Sequence, residues 1–206
     1  MARVRVHQHV NPLSPYYRQE PAAFDVSVFA DPRLPLHLDV GCARGRFLLR
    51  MATVRPGWNY LGVEIREPLV DEANLIAEEA GLKNLKYQFA NAMLFLEHLL
   101  VDIPDGRLRM VTIQFPDPWF KNRHAKRRMV NAKLVEAVVK KLATGGKIFV
   151  QTDIEFLAGE MFELFRGDKN LIETPTSQNP FPFRTEREKA VEDKELPVYR
   201  SLFVKK

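Results

Sequence analysis

Residues 38–52, LDVGCARGRFLLRMA, read as an apolar strand, a tight turn and an amphipathic helix in one short run. Gly41, Ala43 and Gly45 place small residues through the turn. They let the backbone approach a bound molecule closely, while the helix that follows offers the free amides of its first turn. In an open α/β sheet, ligands bind outside the carboxyl ends of the strands, where this turn is expected to lie.

The same alternation continues in both directions. β-prone runs at 36–40, 59–65, 85–90, 108–115, 147–152 and 198–204 alternate with helix-like runs at 45–54, 67–81, 92–101, 127–143 and 153–165. Strand after helix predicts a mostly parallel sheet, and near-continuous apolar strands predict helices on both of its faces. Pro12, Pro15, Pro21 and Pro32 punctuate the first part of the chain. Residues 1–33 are therefore expected to be an extended or mobile N-terminal arm, and residues 34–206 a single domain. The stretch at 174–186, TPTSQNPFPFRTE, is expected to be flexible.

The 206 residues are 46% hydrophobic, enough for a sizeable core. Lys and Arg number 31 against 26 Asp and Glu, a net charge of +5 that suits a polyanionic partner without requiring one. Cys42 is the single cysteine, which excludes an internal disulfide and a multi-thiolate zinc site. No run approaches the ~20 apolar residues of a membrane span, so a cytoplasmic protein with no membrane association is expected. The pair His7 and His9 has no third ligand nearby in sequence, so no metal is expected there.

The turn departs from GxGxxG, and the chain has no GxxxxGK[ST], which weakens dinucleotide and phosphate-cradling readings. Asp39 ends the first strand, and Glu64 ends the second near the ~20-residue distance at which an acid holds ribose hydroxyls. An acid beside the turn meets a positive group better than a pyrophosphate. S-Adenosylmethionine, with an ammonium, a ribose diol and no phosphate, suits Asp39, Gly41, Gly45 and Glu64. Asn91, after the third strand, can face the adenine; an ordinary sheet-end or helix-capping role fits it equally.

Residues 115–128 read FPDPWFKNRHAKRR. Pro116 cannot donate to a sheet ladder and marks a strand end, while Pro118 restricts Asp117 to extended backbone. One ionised carboxylate can accept both the N1–H and the exocyclic amine of guanine. Trp119 and Phe120 can stack on an unstacked base, or Trp119 can pack in the core. Lys121, Arg123, His124, Lys126, Arg127 and Arg128 make a cationic ridge suited to phosphates, against the plainer reading of a solvated helix entry.

This stretch resembles the FxDPWxKxRHxKRR signature of the bacterial tRNA (guanine-N7)-methyltransferase family. The likeness extends through LDVGCARGRF, YLGVEIRE, QTDIEFLAGEMF and TEREK, and RVHQHVNPLS resembles the N-terminal arm of some members. It implies a Rossmann-like class I methyltransferase fold, with seven strands and an antiparallel last strand. It further implies methylation of guanosine 46 in the tRNA variable loop by S-adenosylmethionine. By the resemblance, Asp39, Glu64, Asn91 and Asp117 contact the cofactor, with Asp117 catalytic, and Lys121, Asp153, Thr185 and Glu188 contact the substrate. Asp39 and Asn91 stand where many members have Glu and Asp. Thr185 and Glu188 also spell a TxxE capping box, a structural role that the residues alone would favour.

Two rival enzymes fit less well. An amine methyltransferase would show an NPPY-like segment, and a nicotinamide dehydrogenase a YxxxK pair. A non-catalytic RNA-binding module does not need the turn, the ribose acid and Asp117 together. No obligate protein partner is evident from the sequence.

Overall fold

The computed structural model describes residues 10–206. His7, His9 and the start of RVHQHVNPLS lie outside the described residues. Seven strands run β1 Leu36–Val40, β2 Asn59–Glu64, β3 Leu85–Phe89, β4 Leu108–Gln114, β5 Lys147–Thr152, β6 Leu171–Pro175 and β7 Tyr199–Lys205. Six helices lie between them: α1 Arg46–Val54, α2 Glu67–Glu79, α3 Ala92–Leu99, α4 Ala132–Lys141, α5 Glu155–Arg166 and α6 Glu186–Glu192.

The strands form one sheet in the order β3-β2-β1-β4-β5-β7-β6. The first five strands pair in parallel, and β7 runs antiparallel to both of its neighbours. The order reverses between β1 and β4, so the sheet opens a crevice at their carboxyl ends, the position where open α/β sheets bind ligands. Register there sets Asp39 of β1 beside Thr112 of β4. One apolar core gathers around α3, α4 and α5, and a second joins α1 and α2 to Tyr60 of β2 and Tyr87 of β3. Among the described residues, no helix is long and apolar enough to cross a membrane.

Four local departures from the periodicity have physical causes. The helix read over 127–143 begins only at Ala132, because Asn131 is extended and caps it by accepting the Leu134 amide at 3.0 Å. Residues 122–127 instead make a 3-10 turn. β4 ends at Gln114, since Phe115 has φ of 52°. β6, at the sheet edge, alternates burial with exposure and ends in Pro175, so it lacks the apolar run that marks the other strands.

The stretch at 174–186 is pinned rather than loose by Phe181. Its ring stacks on His37 at 5.5 Å and meets Phe47 and Phe149 edge-on at 5.2 and 5.6 Å. Ahead of β1, Phe24 and Phe29 are 3% and 4% exposed and belong to the larger core.

Candidate active site

The turn between β1 and α1 is built from left-handed residues, with φ of 80° at Gly41, 50° at Ala43 and 68° at Gly45. A side chain at Gly45 would be both strained and blocked, since an added Cβ would lie 2.4 Å from the Tyr87 ring. Tyr87 closes the turn from below by donating its hydroxyl to the Gly45 carbonyl at 2.6 Å. Glu64 holds it from the side, accepting the Ala43 amide at 2.9 Å.

Asp39 is 4% exposed and faces no cation in direct contact among the described residues. Its Oδ1 accepts from the Thr112 hydroxyl at 2.6 Å and, weakly, from the Gln114 amide at 3.4 Å. Thr112 has one hydrogen to give, so its oxygen must accept from His37 Nε2, 3.1 Å away, which assigns the His37 proton to Nε2. Burial keeps His37 neutral, with its pKa pushed down to about 3, and the charge of Arg55 acts the same way. Burial likewise pushes Asp39 up to about 6; the bonds from Thr112 and Gln114 oppose that shift, and the nearby charge of Glu64 adds to it. A buried carboxylate with only neutral donors is what an incoming ammonium group would complete. The acid, the small-residue turn and the ribose-distance Glu64 together fit S-adenosylmethionine.

Glu64 is more heavily engaged than its sequence position suggests. Arg66 clamps it through Nε and Nη2, and the Arg66 amide also donates to it, at 2.8, 3.0 and 3.1 Å. Asn91, buried at the start of α3, donates to two carbonyls of the N-terminal segment and does not cap its own helix.

Beyond β4, Asp117 is exposed between Phe115 and Trp119, whose φ values are 52° and 44°. Bulky residues in the left-handed region cost about 1–3 kcal/mol each and persist only where the surrounding structure enforces them. Arg128 supplies that enforcement. Its Nε donates to the Pro118 carbonyl at 3.0 Å and its Nη2 to the Trp119 carbonyl at 3.2 Å, while Nη1 reaches both Glu160 oxygens at 2.5 and 2.6 Å. The Trp119 ring lies 4.9 Å from the Arg127 guanidinium and meets His124 edge-on at 5.6 Å, which makes it a brace of the turn. Phe120, in contrast, is 66% exposed, with Phe156 edge-on at 5.9 Å.

The ridge therefore divides. Lys121, Arg123 and Lys126 face solvent, whereas Arg127 leans on Trp119 and Arg128 turns inward with its side chain 11% exposed. His124 is held below its ordinary pKa, by partial burial first and then by Arg127, Arg123 and Lys121.

Asp153, just past β5, pairs with Arg187. Thr185 and Glu188 form the reciprocal capping box at the start of α6. Glu188 is fully buried, and its oxygens also accept from Arg200 at 2.8 Å, Asn179 at 2.7 and 3.0 Å and Gln151 at 3.2 Å. Gln151 donates onward to Gln114 at 2.9 Å, so a chain of side chains joins α6 to Asp39.

A family model described as "Putative methyltransferase" matches residues 33–201. Among the most similar relatives is the tRNA (guanine-N(7)-)-methyltransferase of Synechococcus elongatus, 55% identical over 100% of this chain and 98% of that protein. The tRNA (guanine-N(7)-)-methyltransferase of Microcystis aeruginosa is 52% identical over 98% of this chain and 99% of that protein. The chain belongs to the tRNA (guanine-N(7)-)-methyltransferase family.

Solved structures agree on the fold of this tRNA (guanine-N(7)-)-methyltransferase family member. The aminoglycoside resistance methyltransferase NpmB1 aligns with a TM-score of 0.57 at 16% identity, covering 88% of this chain and 90% of that one. The YcgJ protein of Bacillus subtilis gives 0.57 at 15% identity, covering 88% and 96%.

Several partners of the candidate site's side chains in this tRNA (guanine-N(7)-)-methyltransferase family member escaped sequence reasoning: Arg66, Thr112, Gln114, Gln151 and Arg200. Some signal existed. Thr112, Gln114 and Gln151 are polar residues in otherwise apolar strands, and Arg66 follows Glu64 by two positions. Their partners, however, lie on other strands, which no local pattern names.

Proposed function

We propose that this chain transfers the methyl group of S-adenosylmethionine to N7 of guanosine at position 46 in the variable loop of tRNA. The observation that carries the reading is Asp117, an exposed carboxylate held between two left-handed aromatic residues at the carboxyl edge of β4. The neighbouring strand β1 presents the buried Asp39.

In this reading Asp39 meets the cofactor's ammonium, Glu64 its ribose, and the turn from Gly41 to Gly45 its amino-acid tail. When bound, S-adenosylmethionine supplies an electrophilic methyl group. N7 of guanine carries an in-plane lone pair and no proton, so the chain needs no base to expose the nucleophile. Positioning then dominates the rate. Asp117 accepts the N1–H and the exocyclic amine, which selects guanine, and its charge favours the cationic ring that develops. Phe120 offers a face for the unstacked base, and Lys121, Arg123 and Lys126 take the adjoining phosphates. Asp153, Thr185 and Glu188 complete the substrate side, with Glu188 acting from its buried position by holding the start of α6.

The test incubates purified protein with S-adenosylmethionine and tRNA transcripts, with and without guanosine at position 46, and maps N7 methylation. Methylation at that position alone is expected. Methylation elsewhere, or equal methylation of the altered transcript, overturns the substrate assignment.

A further inference from the structure

Asn91 stands where a helix cap belongs, at the residue before α3, yet its side chain makes no capping bond. Both amide hydrogens are used on another part of the chain. Nδ2 donates to the Pro12 carbonyl at 2.8 Å and to the Tyr17 carbonyl at 3.0 Å. Two carbonyl acceptors leave no choice over which end of the amide faces them.

The segment that Asn91 holds is itself ordered. The Ser14 amide donates to the Asn11 carbonyl at 3.0 Å, the Tyr17 amide donates to the Ser14 carbonyl at 3.1 Å, and a 3-10 turn covers Pro15–Arg18. The Tyr16 hydroxyl donates to Glu67 at 2.8 Å, at the first residue of α2. The rings of Tyr16 and Tyr17 lie 6.2 and 6.5 Å from Phe89, the last residue of β3. Asn91, Phe89 and Glu67 all belong to the carboxyl ends of β2 and β3, beside Glu64 and Arg66. The segment thus lies across the rim where a nucleoside held by Glu64 would place its base.

We infer that Asn91 is a positioning residue whose Nδ2 fastens residues 12–17 as a wall over the β2–β3 rim of the cofactor cleft. The inference rests on the S-adenosylmethionine reading above. A carboxylate here could not do this. It has no hydrogen to give and would set negative charge against two carbonyl oxygens. The amide in place of the acid common in the resembling family is therefore what ties the N-terminal segment to the cofactor cleft.

The test follows amide hydrogen exchange at Ser14 and Tyr17 in the cofactor-free protein, together with calorimetric titration of S-adenosylmethionine. For Asn91→Asp, exchange at both amides is expected to rise at least tenfold and the Kd to rise about tenfold, the scale of one or two neutral hydrogen bonds. Tyr16→Phe removes only the bond to Glu67, from a side chain 53% exposed, and so guards against misfolding. It is expected to move both readings the same way by a few-fold.

Exchange at wild-type rates in folded Asn91→Asp overturns the clamp, as does unaltered exchange in Tyr16→Phe should Asn91→Asp fail to fold. Faster exchange with unchanged affinity overturns the wall. Wild-type protein that takes up no S-adenosylmethionine overturns the functional reading and, with it, the wall's part in cofactor binding. The exchange rates still decide the clamp in that case.

Discussion

The guanidinium of Arg66 closes on the carboxylate of Glu64 from two residues away, with Nε 2.8 Å from Oε1 and Nη2 3.0 Å from Oε2. The Arg66 amide and the Ala43 amide take the remaining acceptor positions, at 3.1 and 2.9 Å. A carboxylate offers roughly four such positions, so Glu64 can bind a ribose diol only by releasing part of this set. The side chains are 3% and 19% exposed, so the pair is largely withdrawn from water.

Glu64→Gln and Arg66→Ala are each expected to lower stability by about 1–3 kcal/mol. The double variant should lose at least ~1 kcal/mol less than their sum. Urea denaturation of the four proteins reads this, and additivity would show the pair to be uncoupled. In S-adenosylmethionine titrations, Glu64→Gln should weaken binding far more than Arg66→Ala, which vacates positions on Glu64.

Affinity for S-adenosylmethionine should fall in acid. Asp39 has its pKa raised by burial to about 6, so it is charged at neutral pH and protonated below that value. A neutral Asp39 no longer attracts an ammonium group. The Kd is expected to rise about tenfold per pH unit below 6, while Asp39→Asn should bind weakly with a flat profile over the same range. A wild-type profile flat from pH 7 to 5 would remove Asp39 from the cofactor's ammonium.

Asp117→Asn keeps the shape of the turn and one acceptor oxygen but removes the charge. Under single-turnover conditions, with cofactor and tRNA saturating, the methyl-transfer rate is expected to drop ~10²–10³-fold, the scale of one preorganised polar group. An unchanged rate would sink the role given to it.

The division of the ridge separates two kinds of arginine. Arg123→Ala and Lys126→Ala should weaken tRNA binding and flatten its salt dependence by about 0.7–0.9 log units for each phosphate no longer neutralised. Arg128→Ala should instead leave the slope unaltered and lower stability by ~1.5–3 kcal/mol, because it releases the Pro118 and Trp119 carbonyls and Glu160. A flattened slope in Arg128→Ala would return this residue to the RNA-facing set.

Whatever local chemistry decides is legible in the order of the amino acids. The alternating strand and helix runs set the layers of the sheet, the small residues from Gly41 to Gly45 set the turn, and Thr185 with Glu188 set their capping box. Each depends on residues a few positions apart, so periodicity and side-chain chemistry suffice. Which way the side chains of the site turn is settled only by the assembled fold. Arg127 and Arg128 look alike in a run of positive charge, but only Arg128 finds Glu160, on a helix packed beyond it. Asn91 reads as a helix cap, yet its amide goes to carbonyls that lie 79 and 74 residues earlier. Glu64 reads as a free acid until the fold brings the Ala43 amide to it and its own strand end curls Arg66 back. Hydrogen bonds are short-ranged and indifferent to sequence separation, so the partners of these polar groups exist only once the sheet has aligned the strand ends.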